Sequence, residues 1–177
     1  MKFSKLVLLV LVFTSCSSLR ITSDYDTEVD FTKYNTFAFY KKGIDKAEAS
    51  DLDKKRILKA IETELISKGL SKSTNPDLLI TFTTKSKEKV NVNNMNMGLG
   101  WGWGWNPWMF GGMNTVNVNQ YTEGTLMIDF LDRNNNSLIW QGIGSGSLRM
   151  KNAEKKKERI NEFVHEILEK YPPTKEK

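Results

Sequence analysis

The chain has one cysteine and one histidine among 177 residues. A single cysteine permits no internal disulfide and no cysteine cluster for zinc or iron–sulfur. A single histidine permits no histidine-rich metal site and at most one pairing with a nucleophile. No apolar run approaches the roughly 18 residues of a membrane-crossing helix; Leu6 to Phe13 has eight. Hydrophobic residues are 39%, which predicts a modest core, and the length suits one domain. The net charge of +5 is the one global hint of a nucleic-acid partner.

The N-terminus removes that hint. Lys2 and Lys5 precede the Leu6–Phe13 run, and the small residues Thr14 and Ser15 lead to Cys16. This is the pattern of a secretory signal peptide over residues 1–15. Phe13-Thr14-Ser15-Cys16 resembles a bacterial lipobox, with Phe13 where Leu is usual. That resemblance implies a diacylglyceryl thioether on Cys16, usually with a third acyl chain on its amine. One acyl chain anchors only marginally, at about 0.8 kcal/mol per buried methylene, so a stable anchor needs more than one. An ordinary signal peptide with a chance cysteine is the bland alternative. Residues 1–15 hold two lysines and no acid, so their removal lowers the charge from +5 to +3. The expected setting is a bacterial cell envelope, membrane-bound through lipidated Cys16, with no nucleic acid. Ser17-Ser18 lacks the Asp that resembles an inner-membrane retention signal, which favours the outer membrane, facing the periplasm.

Residues 16–24 read as a tether, 25–173 as one domain and 174–177 as a charged tail. Phe37 and Phe39 alternate in Tyr34–Tyr40, as on a half-buried strand. Lys41–Ser50 reads as a loop. Asp51–Lys68 reads as a helix: Ser50 and Asp53 form a capping-box pattern, Ile57, Ile61 and Leu65 share one face, and Gly69 follows the end. Asp77–Lys85 alternates again around Leu78, Ile80 and Phe82 and predicts a parallel crossover with the first strand. Glu123–Ile143 reads as a hairpin, loosening into a loop at Gly142, Gly144 and Gly146. Ala153–Tyr171 reads as a helix with its stripe on Ile160, Phe163, Val164, Ile167 and Leu168. The expected fold class is α+β, in the order β-α-β-β-β-α. A mixed four- to five-stranded sheet with both helices on one face buries both stripes.

From Val90 to Thr122 there is no charged residue, in a chain that is 27% charged. Val90-Asn91-Val92-Asn93 and Val116-Asn117-Val118-Asn119 match each other and suit paired antiparallel strands. Between them, loop 94–114 holds Trp101, Trp103, Trp105, Trp108, Met109 and Phe110 among glycines. Loops this long are functional or disordered more often than not. Four uses compete: cover for the open face of the sheet, contact with a protein partner or with a second copy, residence at a lipid headgroup layer, and stacking on glycan sugars.

Catalytic chemistry is hard to draw. His165 falls one residue off the apolar stripe, and no serine is identifiable as its partner. Asp24, Asp26, Glu28 and Asp30 sit where carboxylates cap turns. Asp129, Asp132, Asn134 and Asn136 lack the closing Glu of a calcium loop. Lys155, Lys156, Lys157 and Arg159 read as a solvated helix face.

Tyr25-Asp26-x3-Asp30-Phe31-x2-Tyr34-x-Thr36-Phe37 resembles the opening of a bacterial lipoprotein family catalogued as domain of unknown function 4136. Pro76 to Ile80, Leu138-Ile139-Trp140-Gln141-Gly142 and the ending Ile160 to Tyr171-Pro172-Pro173 fit it too, over about residues 22–173. The resemblance implies a small envelope lipoprotein, often with a Gly- and aromatic-rich insert, and no known activity. Asp26 and Asp30 are expected to hold the chain entering the first strand; Phe37, Leu138 and Trp140 are expected in or near the core. The overall expectation is a non-catalytic, cofactor-free binding or structural module, with neither catalytic nor metal-binding residues. The rivals are an envelope glycan-acting enzyme working through acidic residues and an accessory subunit of an outer-membrane complex.

Overall fold

The computed structural model describes residues 19–93, 117–148 and 152–174. Its elements are β1 (Arg20–Tyr25), β2 (Thr36–Phe39), α1 (Lys41–Ile44), α2 (Asp51–Ser67), β3 (Ser71–Lys72), β4 (Leu78–Asn93), β5 (Asn117–Asp132), β6 (Leu138–Ser147) and α3 (Ala153–Leu168). A 3-10 turn at Phe31–Lys33 lies between β1 and β2. The strands form one mixed six-stranded sheet in the order β1-β6-β5-β4-β2-β3, an α+β fold. β2 runs parallel to β3 and β4, and the other pairs are antiparallel.

Alternation selects the buried face. Phe37, Leu78, Ile80, Phe82, Ile128, Phe130 and Trp140 are fully buried and share one side through the strand registers. They form one core with Ile57, Ile61 and Leu65 of α2 and Phe163, Val164, Ile167 and Leu168 of α3. The helix stripes read from the sequence are therefore the ones that pack. At the start of α2 the Ser50 hydroxyl accepts the Asp53 N–H at 3.2 Å and donates to its carboxylate at 2.8 Å. Past its end Gly69 takes φ 90, a left-handed value that favours glycine.

Several expectations change. Residues 20–24, read as tether, belong to β1, which hydrogen-bonds to the β6 edge. That strand and the two-residue β3 raise the count from four or five to six. Lys41–Ile44, read as loop, makes a helical turn. The Val-Asn ends do pair, Val92 with Val118 and Asn91 with Asn119, as continuations of β4 and β5. Gly142, Gly144 and Gly146 stay in strand to Ser147. A Cβ at Gly142 would run into Ile167 of α3 and the Trp140 ring, so glycine is what admits the helix there. Leu138, expected in or near the core, is 49% exposed. A register shift between Phe130 and Leu131 turns Ile139 inward beside Trp140, and Leu138 is left outside.

Candidate functional site

One end of the sheet gathers the features that set this domain apart. β4 and β5 stay paired from Leu78–Asp132 to Asn93–Asn117, whereas β6 leaves β5 at the Glu123–Ser147 pair. Lys87, opposite Glu123, thus marks the start of a two-stranded arm. The arm runs six residues further, about 20 Å at 3.4 Å per residue. β1 starts on that same side: Arg20 pairs with Ser145, which pairs with Thr125. The N-terminal part of the chain thus enters the sheet from the end on which the arm projects. The Arg20 guanidinium reaches across β6 to the Glu123 carboxylate at 2.9 Å.

A groove of about 240 Å³ lies at this end, between the first turns of α2 and α3 and the sheet. Ile57, Leu126, Leu148, Ile160 and Phe163 line it, and Ser50, Asp53, Lys85, Lys156 and Arg159 surround them. Burial pushes the Asp53 carboxyl up, but hydrogen bonds from Lys156, Ser50 and Arg56 more than offset this and hold it below the usual range. Arg159 donates to the Ser147 carbonyl at 3.2 Å and to Glu162 at 2.7 Å, and its guanidinium lies 5.1 Å from the centre of the Phe163 ring. Lys156 and Arg159, read as part of a solvated face, are instead the polar rim of a groove.

The opposite end is built from carboxylates that fasten the chain. Asp77 accepts from the Asn35 and Thr36 N–H groups and the Thr36 hydroxyl at 2.7–3.0 Å, and these bonds lower its pKa. Asp132 accepts the Tyr34 hydroxyl at 2.6 Å, the main cause of its own lowered pKa; it also accepts the Asn134 N–H. Burial, then that same bond, pushes the Tyr34 hydroxyl well up. Asp30 caps the 3-10 turn through the Thr32 N–H and hydroxyl, and Asp26 accepts the Glu28 N–H. A general acid needs a raised pKa, whereas Asp77 and Asp132 go the other way. Asp129 is raised by burial, with Gln141 donating to it at 2.7 Å. His165 is exposed, its Nδ1 3.2 Å from Glu64. Among the described residues no group of three or more His, Cys, Asp or Glu is placed to hold a metal. No helix among them is long and apolar enough to cross a membrane.

Two expected outcomes follow here. Tyr34→Phe leaves a buried carboxylate short of one donor and should cost about 1–3 kcal/mol in urea unfolding; a loss below about 0.5 kcal/mol would show the bond to be dispensable. Asp53, Asp77 and Asp132 have folded pKa values below the unfolded value of about 3.9. Their contribution is present above that value and lost as pH falls through the lowered folded values. Raised Asp129 works in the opposite sense, so Asp129→Asn should raise the melting temperature at pH 7 and do so less at pH 3.

Cys16, Trp101, Trp103, Trp105, Trp108, Met109 and Phe110 lie outside the described residues. What the fold adds is the place of their attachment points: Leu19 and the Asn93–Asn117 pair are at the same end. The groove was not legible in the sequence, because its walls come from five separated segments. The only local hint was the pair Lys156 and Arg159 beside the α3 stripe.

The fold and this end define a class: a single mixed sheet, backed on one face by two helices, extended at one end by an arm. The chain matches the family described as Domain of unknown function (DUF4136) over residues 21–173 and belongs to it. No curated protein matches the sequence. Among solved structures, a PDZ domain protein from Parabacteroides distasonis is similar at 21% identity and TM-score 0.51, over 90% of this chain and 36% of that one. This chain thus corresponds to about a third of that protein. The PelC dodecamer from Paraburkholderia phytofirmans is similar at 7% identity and TM-score 0.50, over 85% of this chain and 94% of that one. At these identities the likeness is one of fold.

Proposed function

We propose that the protein is a non-catalytic envelope lipoprotein, anchored through acylated Cys16, that applies its aromatic loop to the membrane holding the anchor. The observation that carries this reading is directional. β1 enters the sheet from the end on which the β4–β5 arm projects. Cys16 is three residues before Leu19, so an anchor there lies within about 10 Å of it. The arm reaches about 20 Å past the end of the β5–β6 pairing. The points from which a Cys16 anchor and the loop depart therefore lie at one end of the sheet. Trp101, Trp103, Trp105 and Trp108 have the amphipathic rings that favour a headgroup layer. The uncharged stretch around them avoids the cost of placing charge there. The outer membrane, on its periplasmic side, is the setting the residues after Cys16 favour.

Tryptophan emission of the full-length chain tests this in vesicles of brominated phosphatidylcholine. The fifth tryptophan, Trp140, is fully buried, so any quenching reports the loop. Strong quenching with a blue shift is expected, and unchanged emission would remove the membrane contact. Mass spectrometry of the mature chain is expected to find acylated Cys16 as its first residue; a free N-terminus elsewhere would remove the anchor.

A second reading is self-association. Among the described residues, no strand covers the outer edges of 87–93 or 117–122. A two-stranded ribbon is marginal by itself, and unpaired edges invite pairing. PelC is recorded as a dodecamer. Light scattering of the detergent-solubilised chain separates the readings: a discrete oligomer favours this one, a monomer the first.

A further inference from the structure

We propose that the end of the domain from which the arm projects is a cationic face that settles on an anionic lipid surface. This deepens the membrane reading above and rests on it for the kind of surface; the face itself is built from described residues.

The fold sorts charge along the sheet. Both helices begin at the arm end: Asp53 in the first turn of α2 pairs with Lys156 in the first turn of α3, and Arg159 donates to the carbonyl of Ser147, where β6 ends. Both finish at the other end, where Ser71 pairs with Thr36 and Tyr171 packs on Phe31 and Phe130. Residues 51–59 hold four cations and two carboxylates, and residues 153–162 hold four and three. Arg20, Lys85 and Lys87, against Glu123, complete the arm end. Its total is eleven cations to six carboxylates, a net +5.

The other end is its opposite. Residues 60–68 and 163–169 together hold four carboxylates and one lysine, and residues 24–33 hold the same. Asp77, Asp129 and Asp132 lie there with Lys72, Arg133 and Lys170, so the total is eleven carboxylates to five cations, a net −6. Residues 41–48, beside β4, add only +1. Helix stability does not ask for this arrangement. The helix dipole favours cations in a last turn, yet α2 has no basic residue there and α3 has only His165, followed by Glu166 and Glu169.

The excess is carried by side chains that reach solvent. Lys55, Lys59, Lys85, Lys87 and Lys155 are exposed, and no described carboxylate lies within ion-pair distance of them. Alternation puts Lys85 and Lys87 on the side of the sheet away from the helices, whereas the other three stand on α2 and α3. The positive charge therefore surrounds this end and belongs to no single pocket. Anionic headgroups attract such lysines, but screening limits the attraction to about 8 Å at physiological salt. The face thus acts with the arm lying along the surface. The acidic end, about 30 Å away along Leu79–Lys87, then stays clear of it.

The test follows lysine modification by an amine-reactive ester, mapped by mass spectrometry, on the full-length chain. One sample has phosphatidylcholine vesicles; the other has vesicles of equimolar phosphatidylcholine and phosphatidylglycerol. Lys55, Lys59, Lys85, Lys87 and Lys155 should react about fivefold more slowly on the mixed vesicles, the bias one lysine near an anionic surface contributes. Lys68, Lys72 and Lys170, at the acidic end, should not change. High salt should erase the difference. Lys55→Glu with Lys155→Glu should abolish the protection of Lys85 and Lys87 at an unchanged melting temperature, and Glu169→Gln should leave it intact. Equal reactivity on both vesicles, with the loop tryptophans still quenched, overturns this proposal and leaves the membrane reading standing. Anion-dependent protection without quenching supports the cationic face and removes the loop contact, so the two failures are distinct. Protection of both ends alike overturns the orientation. Protection by dissolved polyglutamate but not by the mixed vesicles assigns the face to an acidic macromolecule and overturns the proposal as well.

Discussion

Trp140→Ala is expected to remove about 3–5 kcal/mol of folding stability. Its ring is fully buried and lies 4.8 Å from Phe130 and 5.4 Å from Tyr171, centre to centre. Tyr171 in turn sits 4.5 Å from Phe130 and 6.0 Å from Phe31, so one ring cluster ties β6, β5, the chain after α3 and the turn before β2. Burial pushes the Tyr171 hydroxyl up to about 12. Gly142 cannot help refill the hole without further change, because it has no side chain. The Trp140 Nε1 has no hydrogen-bond partner, so the loss is one of burial and ring contact alone. Trp140→Phe should therefore be much milder, keeping a ring and removing the unpartnered N–H. At about 2–4 °C per kcal/mol for a domain of this size, Trp140→Ala should lower the melting temperature by about 6–20 °C. Calorimetry showing a shift under about 3 °C would mean that the ring cluster does not hold these elements together.

Replacing residues 94–116 with Asn-Gly is expected to leave the fold intact and abolish the loop's membrane contact. Asn93 and Asn117 are directly paired, so two residues suffice to close the hairpin, and Asn-Gly favours the primed turn that matches strand twist. The change removes four of the five tryptophans and none of the described core. The melting temperature should stay within about 4 °C of the parent, equivalent to 1–2 kcal/mol. Contact is read by dye energy transfer from vesicle lipids to a label on the arm, with Cys16 acylation retained in both chains. Transfer should fall to the level of an untethered control. A collapse in stability instead would mean that the tryptophans cover the sheet, and the membrane reading would lose its basis.

Much of this fold is written locally. Helical spacing in α2 and α3 and alternation in β2, β4 and β5 are properties of neighbouring residues, so they are legible without a structure. The Ser50–Asp53 cap and Gly69 belong to the same class, as do the matching Val-Asn ends. The family resemblance drew on equally local signatures. The Lys2–Cys16 pattern is also local, which is why an anchor can be proposed from sequence alone.

Other features depend on residues far apart in the chain. β1 was missed because R-I-T-S-D-Y has little apolar alternation; its pairing with β6, over a hundred residues away, makes it a strand. Leu138 is exposed and Ile139 buried because a one-residue register shift decides which side chain points inward. The glycines of β6 looked like a loop because only the approach of α3 explains them. The groove draws on α2, β4, β5 and α3, and no single window of sequence contains it. Sequence by itself determined the core stripes, the caps and the composition of residues 1–18 and 94–116. Only the tertiary structure decided that the N-terminal entrance, the arm and the groove share one end, because direction along a sheet is set by long-range pairing.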